Sequence, residues 1–382
     1  MVAKSADILS IDAQIDHLAD RIHARALSAP MTPLQRSACV VTKQIPDRMP
    51  MFVLSVEYGA HYLGYRINKD FAWDPKKWAH AALAFIDRFD SDVCAPILDV
   101  YIIGPDAMGC EVIYHEDSFP EVMAGVKTPA DLAKIENADY RHNGRMRVLV
   151  EACQICREKV GDIMAVSPVI NAPFSWAANV RGIYDFLADL RRNPKFAHDL
   201  LERCTAGVNE GVRMFLEAGL KPVTLADATA STYLISPAQI NEFAWTYNEK
   251  LVADLGAENV LPMYLADFAT QAKYCTGMAG LLAGINNYVY CEAEKPLREE
   301  DLLEGKRVAR QLGVAFQANL WGRWVQVHTP KEIDEEVKRV VDLVGPEWPF
   351  QIGMWSVPVP CPIENLDAFV RALKKYTTFA QA

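Results

Sequence analysis

Acidic side chains and one tyrosine recur directly after short apolar runs of this chain, where they are positioned to transfer protons. These candidate catalytic residues are Glu57, Asp99, Asp227, Tyr264 and Asp267. A carboxyl group in a partly apolar cleft has a raised pKa, so it can act as a general acid or hold a cationic group. An Asp at a strand end also commonly caps the next helix or anchors a loop, and that structural role is the alternative for each of them.

A second set of side chains has the chemistry of substrate binding. It comprises His61, Tyr101, Asn171, Asn319, Trp321 and Trp355. Amide groups orient a polar ligand by hydrogen bonds, and indole rings stack on an aromatic one. The two tryptophans are equally compatible with simple packing.

The elements that position these residues are short apolar runs rich in β-branched residues, and there are eight of them. They are 51–56, 93–100, 164–170, 222–226, 261–266, 280–289, 314–320 and 350–355. Segments with helical periodicity separate them, which is typical of repeated βα units and a parallel sheet. These helices are predicted at 75–89, 128–135, 145–159, 182–217, 237–255, 270–278, 298–312, 330–343 and 364–376.

Eight parallel strands with right-handed crossovers close into a (β/α)₈ barrel of the TIM type. Active sites of such barrels lie at the carboxyl ends of the strands, which is where the candidate residues fall. An open doubly wound sheet is the alternative, but the chain lacks a dinucleotide-binding glycine fingerprint.

The first thirty residues are predicted to be a helical extension of the barrel. Apolar residues recur at helical spacing over 9–30, and Pro30 ends the pattern. No residue in the segment indicates a site. We expect this helix to pack on the barrel or on a second subunit, so a homodimer is a possible assembly.

Composition limits the partners and the compartment. The 382 residues carry a net charge of −10, and a nucleic-acid partner is not expected because phosphate binding needs a basic face. Nine cysteines without a secretory leader indicate a reducing cytoplasm. No apolar run has the length of a membrane-spanning helix, so no membrane anchor is expected.

Several motifs together carry a family resemblance. They are MTPLQRSACVVTKQIPDRMP at 31–50, GPDAMGCEV at 104–112, the block 166–205 and LADATASTYLISP at 225–237. The chain resembles the uroporphyrinogen decarboxylase superfamily from about residue 31 to 378, so 31–382 is assigned to one such barrel. That superfamily contains the decarboxylase and methyltransferases that work with corrinoid proteins. The segment 225–237 is more similar to the methyltransferase branch.

The resemblance to the decarboxylase is incomplete at the substrate site. The aspartate that holds the pyrrole nitrogens in that enzyme corresponds to Asp99, which is retained. The arginines that bind the porphyrin carboxylates are replaced in SVEYGAHYLGY (55–65), which offers Glu57 and His61 instead. An acidic site repels a polyanion, so porphyrinogen decarboxylation is disfavoured.

The resemblance to the thiol-directed methyltransferases fails at their zinc ligands. Those enzymes hold zinc through a His-x-Cys pair and a later Cys, and zinc makes the thiolate nucleophile. Tyr264, Ala266 and Trp355 occupy the three positions here. Zinc is therefore not expected at the family site, and Cys275 and Cys361 do not have the spacing of substitutes. The pair Cys153 and Cys156 lies in a helical pattern and is interpreted as structural.

The resulting hypothesis is an O-demethylating methyltransferase. It would move a methyl group from a small donor, an aryl methyl ether, to the cobalt of a corrinoid (cobalamin) carried by a separate protein. A carboxylic acid or tyrosine would protonate the leaving phenoxide. If the donor is a methylated amine, the same groups would instead hold its positive charge.

Two alternatives remain open. One is a decarboxylase of a small aromatic or pyrrolic acid that uses Asp99. The other is a binding protein that retains the barrel without its chemistry.

Overall fold

The structure is a computed structural model of the chain. It describes residues 9–53, 56–136, 138–264, 266–277, 285–286, 295–345, 347–348, 350–354 and 356–378, with the backbone alone for 274–277 and 285–286.

The described strands fall in the predicted order along the chain. They are β1 (Met51–Val53), β2 (Val93–Cys94), β3 (Val112–Ile113), β4 (Glu121–Val122), β5 (Ala165–Val166), β6 (Val169–Asn171), β7 (Val223–Asp227), β8 (Val260–Tyr264), β9 (Ile285–Asn286), β10 (Phe316–Asn319) and β11 (Phe350–Met354).

Helices alternate with the strands from one end of the chain to the other. They are α1 (Ile11–Ser28), α2 (Pro33–Thr42), α3 (Val56–Tyr62), α4 (Lys69–Ala72), α5 (Pro75–Phe89), α6 (Val100–Ala107), α7 (Leu132–Ile135), α8 (Met146–Val160), α9 (Pro173–Arg181), α10 (Ile183–Arg192), α11 (Pro194–Glu217), α12 (Pro237–Ile240), α13 (Thr246–Leu255), α14 (Phe268–Gly277), α15 (Glu299–Leu312), α16 (Gly322–Val327), α17 (Pro330–Val344) and α18 (Ile363–Thr377). A 3₁₀ turn (Pro129–Asp131) precedes α7, and a π turn (Asn241–Trp245) joins α12 to α13.

Parallel pairing of the first strand with the last closes the sheet. Met51 of β1 lies opposite Ile352 of β11, and β11 continues through β10 to β9. Two further parallel sheets among the described residues are the set β6, β7 and β8 and the pair β2 and β5. The predicted (β/α)₈ barrel is confirmed by this closure.

Successive side chains of a strand point to opposite faces, so every second one points into the lumen of the barrel. On β10, Phe316 packs outward against Gly305 of α15, so Gln317 and Asn319 point inward. Val223 and Leu225 of β7 are buried in the layer between barrel and helices. Asp227 lies on the same face of β7 as these two residues. Its side chain therefore points into that layer and away from the lumen.

Two predicted strands are shorter than their apolar runs. The run 51–56 gives three strand residues and then α3, and the run 93–100 gives two before α6 begins at Val100. The third strand is interrupted at Ser167 and Pro168, because proline has no N–H for the ladder; β5 and β6 pair with different neighbours. Most of the sixth predicted strand (280–289) lies outside the described residues.

The helix predicted over 182–217 is two helices. It breaks at Asn193, because Pro194 lacks the N–H that would continue α10 and instead begins α11. The antiparallel hairpin of β3 and β4 was not predicted, since strands of two residues carry no periodicity.

The Pro-Asp-Arg-x-Pro turn has a structural role at the amino-terminal end of the barrel. Arg36 of α2 donates to both oxygens of Asp47 at 2.7 and 2.8 Å, and its Nη1 donates to Asp92 at 3.1 Å. Arg48 donates two further hydrogen bonds to Asp92, at 2.6 and 3.0 Å. These buried ion pairs join α2, β1 and β2 at the barrel floor.

The N-terminal helix packs against the barrel. Ser10 caps α1, and its apolar face, with Ile15 and Ile22, is buried against α5 and α8. Its separation from the barrel as an extension of thirty residues stays a prediction. In the described part of the chain, no helix is long and apolar enough to cross a membrane.

Candidate active site

Glu57 lies in the first turn of α3, just beyond the carboxyl end of β1. Its exposed fraction is 9%. Burial raises the pKa of its carboxyl to about 8, and the one contact that opposes this shift is with its own backbone N–H. The group is therefore largely protonated at neutral pH. A neutral carboxylic acid to which no described side chain is hydrogen-bonded has the properties of a general acid.

Asp99 lies at the N-terminus of α6, beyond the carboxyl end of β2, in a buried ionic cluster. Arg145 Nη1 donates to Asp99 Oδ2 at 2.6 Å, and Arg145 Nε donates to Asp106 Oδ2 at 2.8 Å. Burial raises the pKa of Asp99 to about 6, and Arg145 limits that shift. Asp99 Oδ1 and Arg145 Nη2 are buried without a hydrogen-bond partner among the described residues. Both atoms are therefore available to a ligand.

Arg145 is a site residue that sequence reasoning missed. It precedes α8, at the same end of the barrel as Asp99, and its side chain has no solvent exposure. The guanidinium also lies 5.5 Å from the ring centre of Tyr114. The one signal in the sequence was an isolated arginine at a helix start, where acidic residues are usual.

Asp227 and Tyr264 form a second network, outside the lumen. Asp227 Oδ1 accepts hydrogen bonds from the backbone N–H and hydroxyl of Ser175, at 3.0 and 2.7 Å. Asn248 of α13 donates to Asp227 Oδ2 and to the Tyr264 hydroxyl. Burial raises the pKa of Asp227 to about 6 against these donors. The network ties β7 and β8 to α9 and α13, which is a structural arrangement.

Asp267 has the geometry of a helix cap. Its Oδ1 accepts from the backbone N–H of Thr270 at 3.0 Å and its Oδ2 from the Thr270 hydroxyl at 2.8 Å, at the start of α14. Although partial burial opposes it, these donors hold the pKa of Asp267 below its usual range. The group is ionised at neutral pH, so it has no proton to donate.

Two asparagines bring amide groups into the upper lumen. Asn171 is the last residue of β6 and lies on the same face as Val169, which lines the lumen. Both polar atoms of the Asn171 side chain are buried without a partner among the described residues. Asn319 ends β10 and accepts a hydrogen bond from Gln317 Nε2 at 2.8 Å. Asn171 is therefore the amide most available to a substrate.

The remaining predicted binding residues lie around these groups or outside the described chain. His61 is exposed on α3, one turn after Glu57 and on the same face. Tyr101 is 46% exposed in the first turn of α6. Trp321 is half-buried before α16 and packs against the apolar core. Trp355 lies outside the described residues.

A sequence model of the uroporphyrinogen decarboxylase (URO-D) family matches residues 32–376. The chain belongs to the URO-D family. This membership and the closed sheet agree on the barrel fold.

Relatives of this URO-D family member include two enzyme types. The chain is 24% identical over 180 residues to uroporphyrinogen decarboxylase of a Sulfurovum species, covering 46% of this chain and 51% of the relative. It is 24% identical over 286 residues to a methylcobamide:CoM methyltransferase of Methanosarcina barkeri, covering 71% and 76%. The chain spans about half the length of several decarboxylase relatives.

A solved structure has the same fold. A methyltransferase from Methanosarcina mazei superposes with a TM-score of 0.71 at 19% identity, covering 90% of this chain and 99% of the other. At this identity the likeness shows the architecture alone.

A metal site in this URO-D member would need several donor side chains close together. Among the residues that the structure describes, no three His, Cys, Asp or Glu side chains come together to hold a metal ion. Ala266 is fully buried, and Tyr264 is hydrogen-bonded to Asn248. Cys361 is buried, which raises the pKa of its thiol to about 11. These residues do not fit a thiolate zinc site.

Proposed function

We propose that this protein is a methyltransferase that removes the methyl group of an aryl methyl ether and passes it to the cobalt of a corrinoid on a separate protein. The observation that carries the proposal is Glu57, a buried carboxyl group whose pKa of about 8 keeps it protonated. The methyl–oxygen bond breaks, cobalt(I) supplies the electron pair for the new bond to carbon, and the phenoxide oxygen takes the proton of Glu57.

The need for that proton follows from the leaving group. A phenoxide, whose conjugate acid has a pKa of about 10, leaves slowly unless it is protonated or hydrogen-bonded. Among the five candidates, Glu57 has a proton at neutral pH, and burial is the main influence on the pKa of its carboxyl. Asp227 and Tyr264 are engaged with α13, and Asp267 is ionised.

The protonated state of Glu57 also favours one class of methyl donor over another. A methylated ammonium group needs a negative charge beside it, whereas a protonated carboxyl offers a hydrogen. Ether donors are therefore favoured over amines. Asn171 would bind the ring substituents through its unpartnered amide, with Asn319 beside the same lumen. Tyr101 and Trp321 would provide aromatic contact.

Exposed apolar side chains around the mouth of the barrel support a protein partner. We call this set the mouth rim; it comprises Tyr101, Met123, Ile183, Tyr184, Tyr233 and Leu234. All six follow the carboxyl ends of strands. The N–H groups of Gly125 and Val126 donate to the Val180 carbonyl, which joins the hairpin of β3 and β4 to α9. Exposed apolar side chains of this kind suit a docked corrinoid protein.

The comparisons support the corrinoid part of the proposal at the level of the family. A relative that covers 71% of the chain carries methylcobamide in its name. That name also specifies a thiol acceptor, coenzyme M, but the residues at the zinc positions of this chain do not suit thiolate activation. Methyl transfer to a corrinoid without an activated thiol is consistent with this relative and with the residues at the zinc positions.

The test is a methyl-transfer assay with free cob(I)alamin and a panel of methoxylated aromatic acids and phenols. The expected result is the spectrum of methylcobalamin together with an equimolar amount of the free phenol. Methylated amines serve as the comparison series. No methyl transfer from any ether, with transfer from an amine, would contradict the assignment of the donor.

A second candidate is decarboxylation of a small aromatic or pyrrolic acid. The observation that favours it is the unpartnered Oδ1 of Asp99, which is placed to hold a ring N–H. Relatives named as decarboxylases are consistent with it. Carbon dioxide released from pyrrole-2-carboxylate or a related acid, without methyl transfer, would favour this function.

A further inference from the structure

A large cavity occupies the lumen of the barrel below the asparagines of the candidate active site. Its volume is about 510 Å³. The lumen side chains that line it include Phe52, Val169, Thr224, Leu261, Met263, Gln317 and Gln351. Barrel interiors of this type are normally filled by layers of bulky side chains. An open lumen of this size is in the range of small-molecule sites.

The cavity opens at the amino-terminal face of the barrel. Its outer lining comes from segments that precede strands, namely Gly161, Gly219–Pro222 and Val314, and from α2. Leu34 and Val41 of α2 are partly exposed at this opening. The candidate catalytic acids instead follow strands, so they lie at the opposite face. We call this space the floor cavity.

The inner wall of the floor cavity is apolar at Phe52, Val169, Leu261 and Met263, and its glutamine amides are already hydrogen-bonded. Gln351 Nε2 donates to Gln317 Oε1 at 3.2 Å, and Gln317 Nε2 donates to Asn319 Oδ1 at 2.8 Å. Because these amides are already hydrogen-bonded to one another, a ligand in the cavity does not need polar groups to pair with them. Leu261 and Met263 of β8 face the lumen and lie about 7 Å apart along the strand. The space therefore suits an extended apolar chain.

The opening is basic, in contrast to the rest of this acidic protein. Lys221 and Arg157 line it, and Lys43 Nζ lies 3.3 Å from the position of a Cβ on Gly313, next to the lining residue Val314. Within the described residues, none of these three cations forms an ion pair with a carboxylate; Arg157 donates to the Ala218 carbonyl at 3.0 Å. The chain has 49 acidic residues against 39 basic ones, so three such cations at one opening indicate an anionic ligand.

We propose that the floor cavity binds a medium-chain aliphatic monocarboxylate, with the chain in the lumen and the carboxylate at Lys221 and Arg157. The apolar wall would stabilise the chain, and the cations would hold the head group at the surface. The site does not depend on the methyl-transfer function.

Calorimetric titration of the whole protein with decanoate tests the proposal. We expect saturable binding, with affinity about tenfold weaker for octanoate because two methylenes fewer are buried. Decanol, which lacks the carboxylate, should bind more weakly than decanoate. Absence of saturable decanoate binding, or equal affinity for decanol, would overturn the proposal.

Matched variants locate the binding. Lys221→Gln should weaken decanoate binding about fivefold, while Lys195→Gln, the same change at an exposed site on α11, should leave it unchanged. Leu34→Asp places a negative charge at the opening and suits the first turn of α2, so the fold is retained and binding is lost. Tyr184→Asp at the mouth rim is its control. Loss of binding in Tyr184→Asp with retention in Leu34→Asp would place the ligand elsewhere and refute the proposed site.

Discussion

Arg145 Nη1 donates to Asp99 Oδ2 at 2.6 Å, although the two residues are 46 positions apart in the chain. The pair is buried, and Asp106 shares the same guanidinium. Two carboxylates compete for one cation in a site that excludes water. Burial is the largest effect on the pKa of Asp99 and, with a smaller contribution from Asp106, keeps it near 6 although a cation touches the carboxylate.

Replacing that arginine should destabilise the protein and raise the pKa of Asp99. We expect Arg145→Gln to lower the free energy of unfolding by about 3–5 kcal/mol, since it leaves buried carboxylates without their cation. Urea denaturation measures the loss. Arg307→Gln, which removes an exposed ion pair with Glu304, should destabilise the protein far less. Equal losses in the two variants would contradict the role of burial.

The raised pKa of Glu57 predicts a particular pH dependence of stability. Because the folded-state pKa is above its usual value of 4.5, the unfolded chain releases this proton first, and stability falls as pH rises from about 4.5 to about 8. Glu57→Gln should remove this decrease and be more stable than the wild type at pH 8. Unfolding in urea at pH 5, 6.5 and 8 measures it.

Asp267→Asn is the control with the opposite sign. The folded-state pKa of Asp267 is lowered, so its contribution to stability is present above its unfolded value and is lost as pH falls through the folded one. The variant should be less stable than the wild type at neutral pH. The same pH response in both variants would argue against the two assignments.

Activity should depend on the leaving group once the proposed acid is removed. We expect Glu57→Gln to reduce kcat for anisole-type ethers about 10²- to 10⁴-fold, the usual contribution of a general acid. Methyl ethers of nitrophenols, whose phenoxides leave without protonation, should lose far less. Wild-type kcat should decline as pH rises through about 8, when Glu57 loses its proton. A uniform loss across all ethers would exclude Glu57 as proton donor.

Asp227 should affect stability more than chemistry. Asp227→Asn keeps the shape but weakens acceptance from the two Ser175 donors, and we expect a loss of about 1–3 kcal/mol. The rate per folded molecule should change less than about threefold, because the side chain faces α9 and α13. Ser175→Ala, which removes one donor of the same network, should behave alike. A hundredfold loss of kcat in a folded Asp227→Asn protein would contradict this assignment.

Activity should survive removal of zinc. The residues at the three family positions do not offer a thiolate site, so dialysis against a chelator should leave methyl transfer to cob(I)alamin unchanged. Metal analysis of the purified protein is the direct measurement. Stoichiometric zinc whose loss abolishes activity would show that other residues of the chain bind it.

The sequence by itself determined the order of strands and helices. Eight apolar runs separated by helical periodicity specify a parallel barrel, because each strand buries both faces and each helix buries one. The positions of Glu57, Asp99 and Asn171 after strands followed from that pattern. The break at Pro194 was not predicted, although proline begins a helix more readily than it continues one.

Tertiary structure alone decided which of the candidate residues share a site. Asp99 and Asp227 look alike in the sequence, each an acid after a strand. One lies beside Arg145 with a free oxygen, and the other is held by Ser175 and Asn248 behind the barrel wall. The difference comes from the register of each strand end and from contacts between distant segments. The periodicity of apolar residues in the sequence indicates which side chains are buried. Which partner a buried charge has depends instead on how the helices pack.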